Sequence, residues 1–198
     1  MPYKMELVNA RPDDAIKQAR DDTIKRAKDI WGLDYADASE GLYPSGNQIG
    51  RGDLRMDQCF NRATAAALIA LGGRWQTAIA TGVGFTPAAA TGWQDWLDFV
   101  VDEDTFIIIE GAFSNETNPT VTELKPDLGG VALPPIALDP MYAQEIPRAY
   151  LEVPAIVSPK SNMKIRLRST NVGVVTLEQL GLIGETIAKR SYLILETY

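Results

Sequence analysis

The stretch Met163-Lys164-Ile165-Arg166-Leu167-Arg168 alternates apolar and cationic residues without a break. A period of two puts Met163, Ile165 and Leu167 on one face and Lys164, Arg166 and Arg168 on the other, so the stretch reads as a half-buried strand with a charged outer face. Strand signals recur around it, at 96–101, 105–113, 121–124, 131–138, 148–157, 162–169, 172–177, 182–187 and 191–197, with Phe106-Ile107-Ile108-Ile109 at the centre of the second. Pro119, Pro126, Pro134, Pro135, Pro140, Pro147, Pro154 and Pro159 punctuate this half of the chain. Prolines at that density belong on edge strands, bulges and loops. Short strands separated by turn signals predict a mainly β chain folded as an antiparallel sandwich or barrel, of which the antiparallel β-sandwich is the one expected.

The first half reads differently. From Pro12 to Trp31 the pattern is that of an amphipathic helix, with Pro12, Asp13 and Asp14 at its start, Lys25, Arg26 and Lys28 toward its end, and an apolar stripe of Ile16, Ala19, Ile24, Ala27 and Trp31. This helix is expected to dock either on a neighbouring molecule or on the body of its own domain. Residues 32–52 contain Tyr43-Pro44-Ser45-Gly46-Asn47 and Gly50-Arg51-Gly52 and read as a long irregular connection, which makes residues 1–52 a partly helical, extended N-terminal arm. Arg51-Gly52-Asp53 is expected to be a turn leading into a second helix near 53–71, capped by Asp53, carrying Ala63 to Ala67 and stopped by Gly72-Gly73. The body is then 53–198, one domain, which the length of 198 residues and an apolar share of 45% can support.

Composition removes whole classes of chemistry. There is no histidine, which excludes Ser-His-Asp and Cys-His hydrolases, His-ligated zinc and iron sites and metal-binding cupins in their usual forms. Cys59 stands alone, so it forms no intramolecular disulfide or thiolate cluster, and it reads as a small buried hydrophobe beside Phe60. The first residues lack the apolar core of a secretory signal, and no run of about eighteen apolar residues predicts a membrane span. No cofactor or metal is expected, and no catalytic residue is assigned.

Net charge is −7 and unevenly spread: residues 95–145 hold Lys125 against 11 acids, whereas residues 160–198 hold six cations against three acids. No block of Lys and Arg forms a nucleic-acid-binding arm, so direct nucleic-acid contact is not expected. Three sites deserve weighing. The acids Asp98, Asp102, Glu103, Asp104 and Glu110 admit a calcium site or a glycosidase-like pair, although the D-x-D-x-D-G loop is absent and a charged hairpin turn at Asp102-Glu103-Asp104 is the plainer reading. Trp93 and Trp96 admit sugar stacking, against the plainer reading of core aromatics. The stripe Lys164, Arg166 and Arg168 is either a solvated face or an interface for the acidic segment of a neighbouring copy. Gly82-Val83-Gly84 is too short for a phosphate loop, and Asn115-Glu116-Thr117 reads as a turn.

The body from about Trp93 to Tyr198 resembles, in layout, the single jelly-roll modules of viral capsid and capsid-decorating proteins. The residues that carry the resemblance are the Pro-bounded strand Tyr150 to Val157, the turn Ser158-Pro159-Lys160-Ser161-Asn162, the strand Met163 to Arg168 and the later Gly181-Leu182-Ile183-Gly184-Glu185. It implies a jelly-roll-like β-sandwich and a non-enzymatic virion structural protein, made in the host cytoplasm, whose partners are copies of itself and other virion proteins. The interface candidates under that reading are Ile16, Ile24, Ile30 and Trp31 of the arm together with Lys164, Arg166 and Arg168. The alternatives are a carbohydrate-binding β-sandwich and a carboxylate-dependent glycosidase.

Overall fold

The computed structural model describes residues 7–8, 11–36, 48–55, 92–114, 121–138, 148–169 and 180–189. In chain order the elements are β1 (Leu7–Val8), α1 (Asp13–Trp31), β2 (Ile49–Arg55), β3 (Trp93–Val100), β4 (Thr105–Ser114), β5 (Val121–Leu128), β6 (Val131–Ala132), β7 (Ile136–Ala137), β8 (Arg148–Val157), β9 (Asn162–Ser169) and β10 (Leu180–Lys189). The chain is mainly β, its strands pair antiparallel, and α1 is the one helix among the described residues. The first sheet runs β1-β8-β4-β10-β2; the second runs β3-β9-β5-β6, with β7 also on β5.

The alternation in β9 is realised as read: Met163, Ile165 and Leu167 are buried at 1% exposure or less, while Lys164, Arg166 and Arg168 point outward. These apolar side chains, with Leu124 and Val121 of β5, share one core with Ile107, Ile109, Leu151 and Leu182 of the first sheet. Each such side chain contributes about 2 kcal/mol by leaving water.

The opposite face of the first sheet is covered by α1. Ile16, Ala19, Thr23 and Ala27, spaced three or four apart, are its buried residues. Ala19 and Ala27 pack in one cluster with Phe106 and Ile108 of β4, Ile187 of β10 and Ile49 of β2. Trp31 meets Phe106 edge-on with ring centroids 5.5 Å apart, and its indole N–H donates to the Glu103 carbonyl at 3.2 Å. Pro12 is the N-cap, and Gly32, at φ 64°, ends the helix by donating its N–H to the Lys28 carbonyl. Burial on both faces explains the unbroken run Phe106 to Ile109: Phe106 and Ile108 serve the helix side, Ile107 and Ile109 the shared core.

One expectation about the N-terminal half is narrowed and one changes. Of the two docking places open to the amphipathic helix it takes the body of its own domain, and residues 49–55, expected to be connection and helix start, form the edge strand β2. Gly52 lies opposite Thr186 and Asp53 opposite Glu185, so Asp53 is not a helix cap, and a boundary at 52/53 would cut a strand. The cause is non-local: the open edge of β10 supplies backbone partners that no local pattern announces. Residues 56–71 of the expected helix, Cys59, Gly82-Val83-Gly84, Asn115-Glu116-Thr117 and the strands expected at 172–177 and 191–197 lie outside the described residues.

Candidate functional site

The most unusual local geometry lies in the middle of β4. Against β10, Ile109 pairs with Gly184 and Gly111 with Ile183, which leaves Glu110 as an extra residue on β4. Against β8, Ile109 pairs with Ala155 and Gly111 with Tyr150, so residues 151–154 bow out opposite Glu110. A bulge re-aims a side chain and is a common device beside functional sites. Alternation from Phe106 and Ile108 already puts Glu110 on the helix side; the extra residue shifts the phase after it and turns Ala112 into the shared core. Gly111 is what lets the strands close, because a Cβ there would sit 2.1 Å from the Ala149 carbonyl oxygen and 2.9 Å from Tyr150 Cα.

Glu110 and, from β10, Glu185 are carboxyl groups buried at 2% and 3% exposure under the N-terminal half of α1. One guanidinium, that of Arg11, reaches both. Arg20 of α1 grips Glu185 as a fork, with Nε donating to Oε2 at 2.7 Å and Nη2 to Oε1. Arg11 donates from Nη2 to Glu110 Oε2 at 3.2 Å and reaches Glu185 Oε1 at 4.0 Å; Arg51 of β2 comes within 3.8 Å of the same Oε1. Glu110 Oε1 accepts no hydrogen bond. Burial first, and then the Glu185 carboxylate, push Glu110 above the usual carboxylate range, with Arg11 opposing. The Glu185 fork raises Arg20. Beside this cluster, Arg11, Ile16, Arg20, Tyr35 and Arg51 line a cleft of about 420 Å³. Chemically the arrangement is an acid pair able to hold a proton, clamped by guanidinium groups that tie the helix to the sheet.

The residues singled out from the sequence are distributed elsewhere. Ile16 is fully buried against its own sheet, Ile24 and Trp31 are half-buried there, and Ile30 is 62% exposed. The stripe on β9 finds acids within its own sheet. Lys164 bridges Asp95 at 2.7 Å and Asp98 at 3.0 Å, Arg166 meets Asp95 at 3.3 Å, and Arg168 meets Glu123 at 2.9 Å. These are directly opposed cross-strand pairs, Asp98 with Lys164, Asp95 with Arg166 and Glu123 with Arg168. The acidic middle segment therefore supplies the partners of the basic stripe within one chain. Hydrogen bonds from Lys164 and Asn162 hold Asp98 below the usual carboxylate range, and the same acids raise Lys164.

The acidic turn is likewise engaged. Lys160 meets Glu103 at 3.1 Å, and Lys189 meets Asp104 at 2.5 Å while lying 5.7 Å from the Trp31 ring centre. Among the described residues no group of three or more potential ligands gathers to hold a metal ion. Trp93 is half-buried with the Lys125 ammonium 5.6 Å from its ring centre, and the Trp96 side chain lies outside the described set. Asp98 and Glu110 occupy different sheets, with Asp98 on the outer face of one and Glu110 on the helix face of the other, so they do not form a pair. The acid pair that does form, Glu110 with Glu185, was missed because only Glu110 lay in the acidic segment. A lone acid next to a glycine inside an apolar strand was its one local signal. Compared with protein-family models, curated proteins and solved structures, the chain matches none.

Proposed function

We propose that this chain is a virion structural subunit, a jelly-roll-like β-sandwich that acts by assembling with copies of itself and with other virion proteins. The observation that carries the reading is strand order. With β1 set aside at the outer edge of β8 and β7 on β5, β2-β10-β4-β8 in one sheet and β3-β9-β5-β6 in the other supports the reading, since it follows the order expected of an eight-stranded jelly roll. That architecture serves capsid subunits, lectins and cupins, so the choice among them rests on the residues. The chain has no histidine to make a cupin metal site. The ring of Trp93 already carries Lys125, which weakens the lectin reading, and the separation of Asp98 from Glu110 weakens the glycosidase reading.

Assembly then has a different basis from charge matching between copies, since the β9 cations are satisfied inside their own sheet. Exposed apolar residues at Ile30, Val100, Val131 and Val153 are the described groups that gain most from a neighbour. No helix among the described residues is long and apolar enough to cross a membrane.

Analytical ultracentrifugation of the full chain over a wide concentration and salt range tests the proposal, with electron microscopy of the same samples. The expected result is multi-copy species that grow with concentration and persist at high salt. A strictly monomeric particle that binds a glycan, with binding lost in Trp93→Ala, overturns it in favour of the lectin.

A further inference from the structure

The Glu110–Glu185 pair has a property that the assembly reading neither needs nor uses. We propose that Glu110 keeps its proton when α1 is docked, and that loss of this proton loosens α1 from the first sheet. Three features of the geometry carry the inference. Both carboxyl groups are buried, and one guanidinium, that of Arg11, reaches both, at 3.2 Å and 4.0 Å. Glu110 Oε1 is buried and accepts no hydrogen bond, so as part of a carboxylate it is a desolvated charge without a partner, a cost that protonation of Glu110 removes. Arg20 is committed as a fork to Glu185 and Arg51 approaches that same carboxylate, while Arg11, which does meet Glu110, is shared with Asp13 at 3.5 Å.

The charged surroundings are mixed. From the helix and its lead-in come Arg11, Asp13 and Arg20; from β2 comes Arg51; from β10 comes Glu185. Tyr150 and Glu152 belong to β8, the strand on the other side of β4, and Tyr35 lies close enough to Arg20 to influence it. Arg11 is 45% exposed, so water screens the charge best placed to support an ionised Glu110.

With the helix docked, Glu110 sits above its ordinary range; with the helix released it is hydrated and titrates normally. Docking is therefore at full strength below the ordinary glutamate value. It weakens as pH rises between the ordinary and the raised values, by about tenfold per pH unit, and levels off above the raised value. Release costs the buried contacts of Ile16, Ala19 and Ala27, so the docked state remains dominant and its opening is what changes.

Hydrogen exchange on the full chain reads this directly. Protection of α1 amides, corrected for intrinsic rates and referenced to β9 amides in the same sample, is expected to fall about tenfold or more from pH 5 to pH 8. Glu110→Gln, a neutral mimic of the protonated acid, is expected to abolish that fall and keep protection high. Carbon-13 titration of the Glu110 carboxyl in the unsubstituted protein gives a second reading that needs no variant, with a midpoint expected above that of an ordinary glutamate. Protection that is equal within about twofold at both pH values, a Glu110→Gln protein that keeps the full fall, or a Glu110 midpoint at or below the ordinary value would each overturn the proposal.

Discussion

At the scale of single residues, β4 turns on Gly111. Its missing Cβ leaves room for the Ala149 carbonyl, so Gly111→Ala must push two paired strands apart. The expected cost is about 3 kcal/mol, seen as a lower denaturant midpoint at unchanged slope. On the outer face of the second sheet the effects are smaller. Lys164→Met removes the ammonium that bridges Asp95 and Asp98, so the Asp98 titration midpoint should rise toward that of an ordinary aspartate. Because the folded-state value of Asp98 is depressed, its contribution to stability is present above the ordinary aspartate value and lost as pH falls through the depressed one. The variant should show a weaker acid-side dependence in a pH series of midpoints, the remainder being held by Asn162. Polarity along β9 was legible because its period alone assigns faces. Which acids the cations would meet was not, because cross-strand partners are fixed by register, and register is a property of pairs of strands.

At the scale of elements, α1 was legible and its destination was not. Its buried face is the stripe expected from Ile16, Ala19 and Ala27, and the helix runs Asp13–Trp31 against an expected Pro12 to Trp31. A stripe says that something covers it, and here the cover is the chain's own sheet. The fully buried Ile16 and the exposed Ile30 separate the two roles. Ile16→Ala should lower the stability of the isolated molecule by about 3 kcal/mol, whereas Ile30→Ala should leave it within about 0.5 kcal/mol. Ile30→Ala should act instead on assembly, lowering the mass seen at a given concentration in sedimentation. Strands β8 and β9 fall where turn residues and alternation put them. β2 escaped notice because Ile49–Arg55 holds two glycines and no alternation, and it is a strand only by virtue of β10 beside it.

At the scale of the whole molecule, the antiparallel β class was readable from strand spacing, and the run Phe106 to Ile109 held a further clue. Four consecutive apolar residues in an otherwise alternating β chain indicate a strand covered on both faces. The cluster around Glu185 was beyond reach for the same reason as β2: Arg20 and Glu185 stand 165 residues apart, and only the closed sheet brings them together. That separation also bears on how the protein is made. β10 inserts between β2 and β4, so the first sheet has a gap in its interior until Leu180–Lys189 has left the ribosome. Helix α1, which precedes β10 in the chain, has no finished surface to rest on until then. Closure of the first sheet is then a late, long-range event with a high entropic threshold, and nascent chains halted before residue 180 should remain open to protease along β2 and β4.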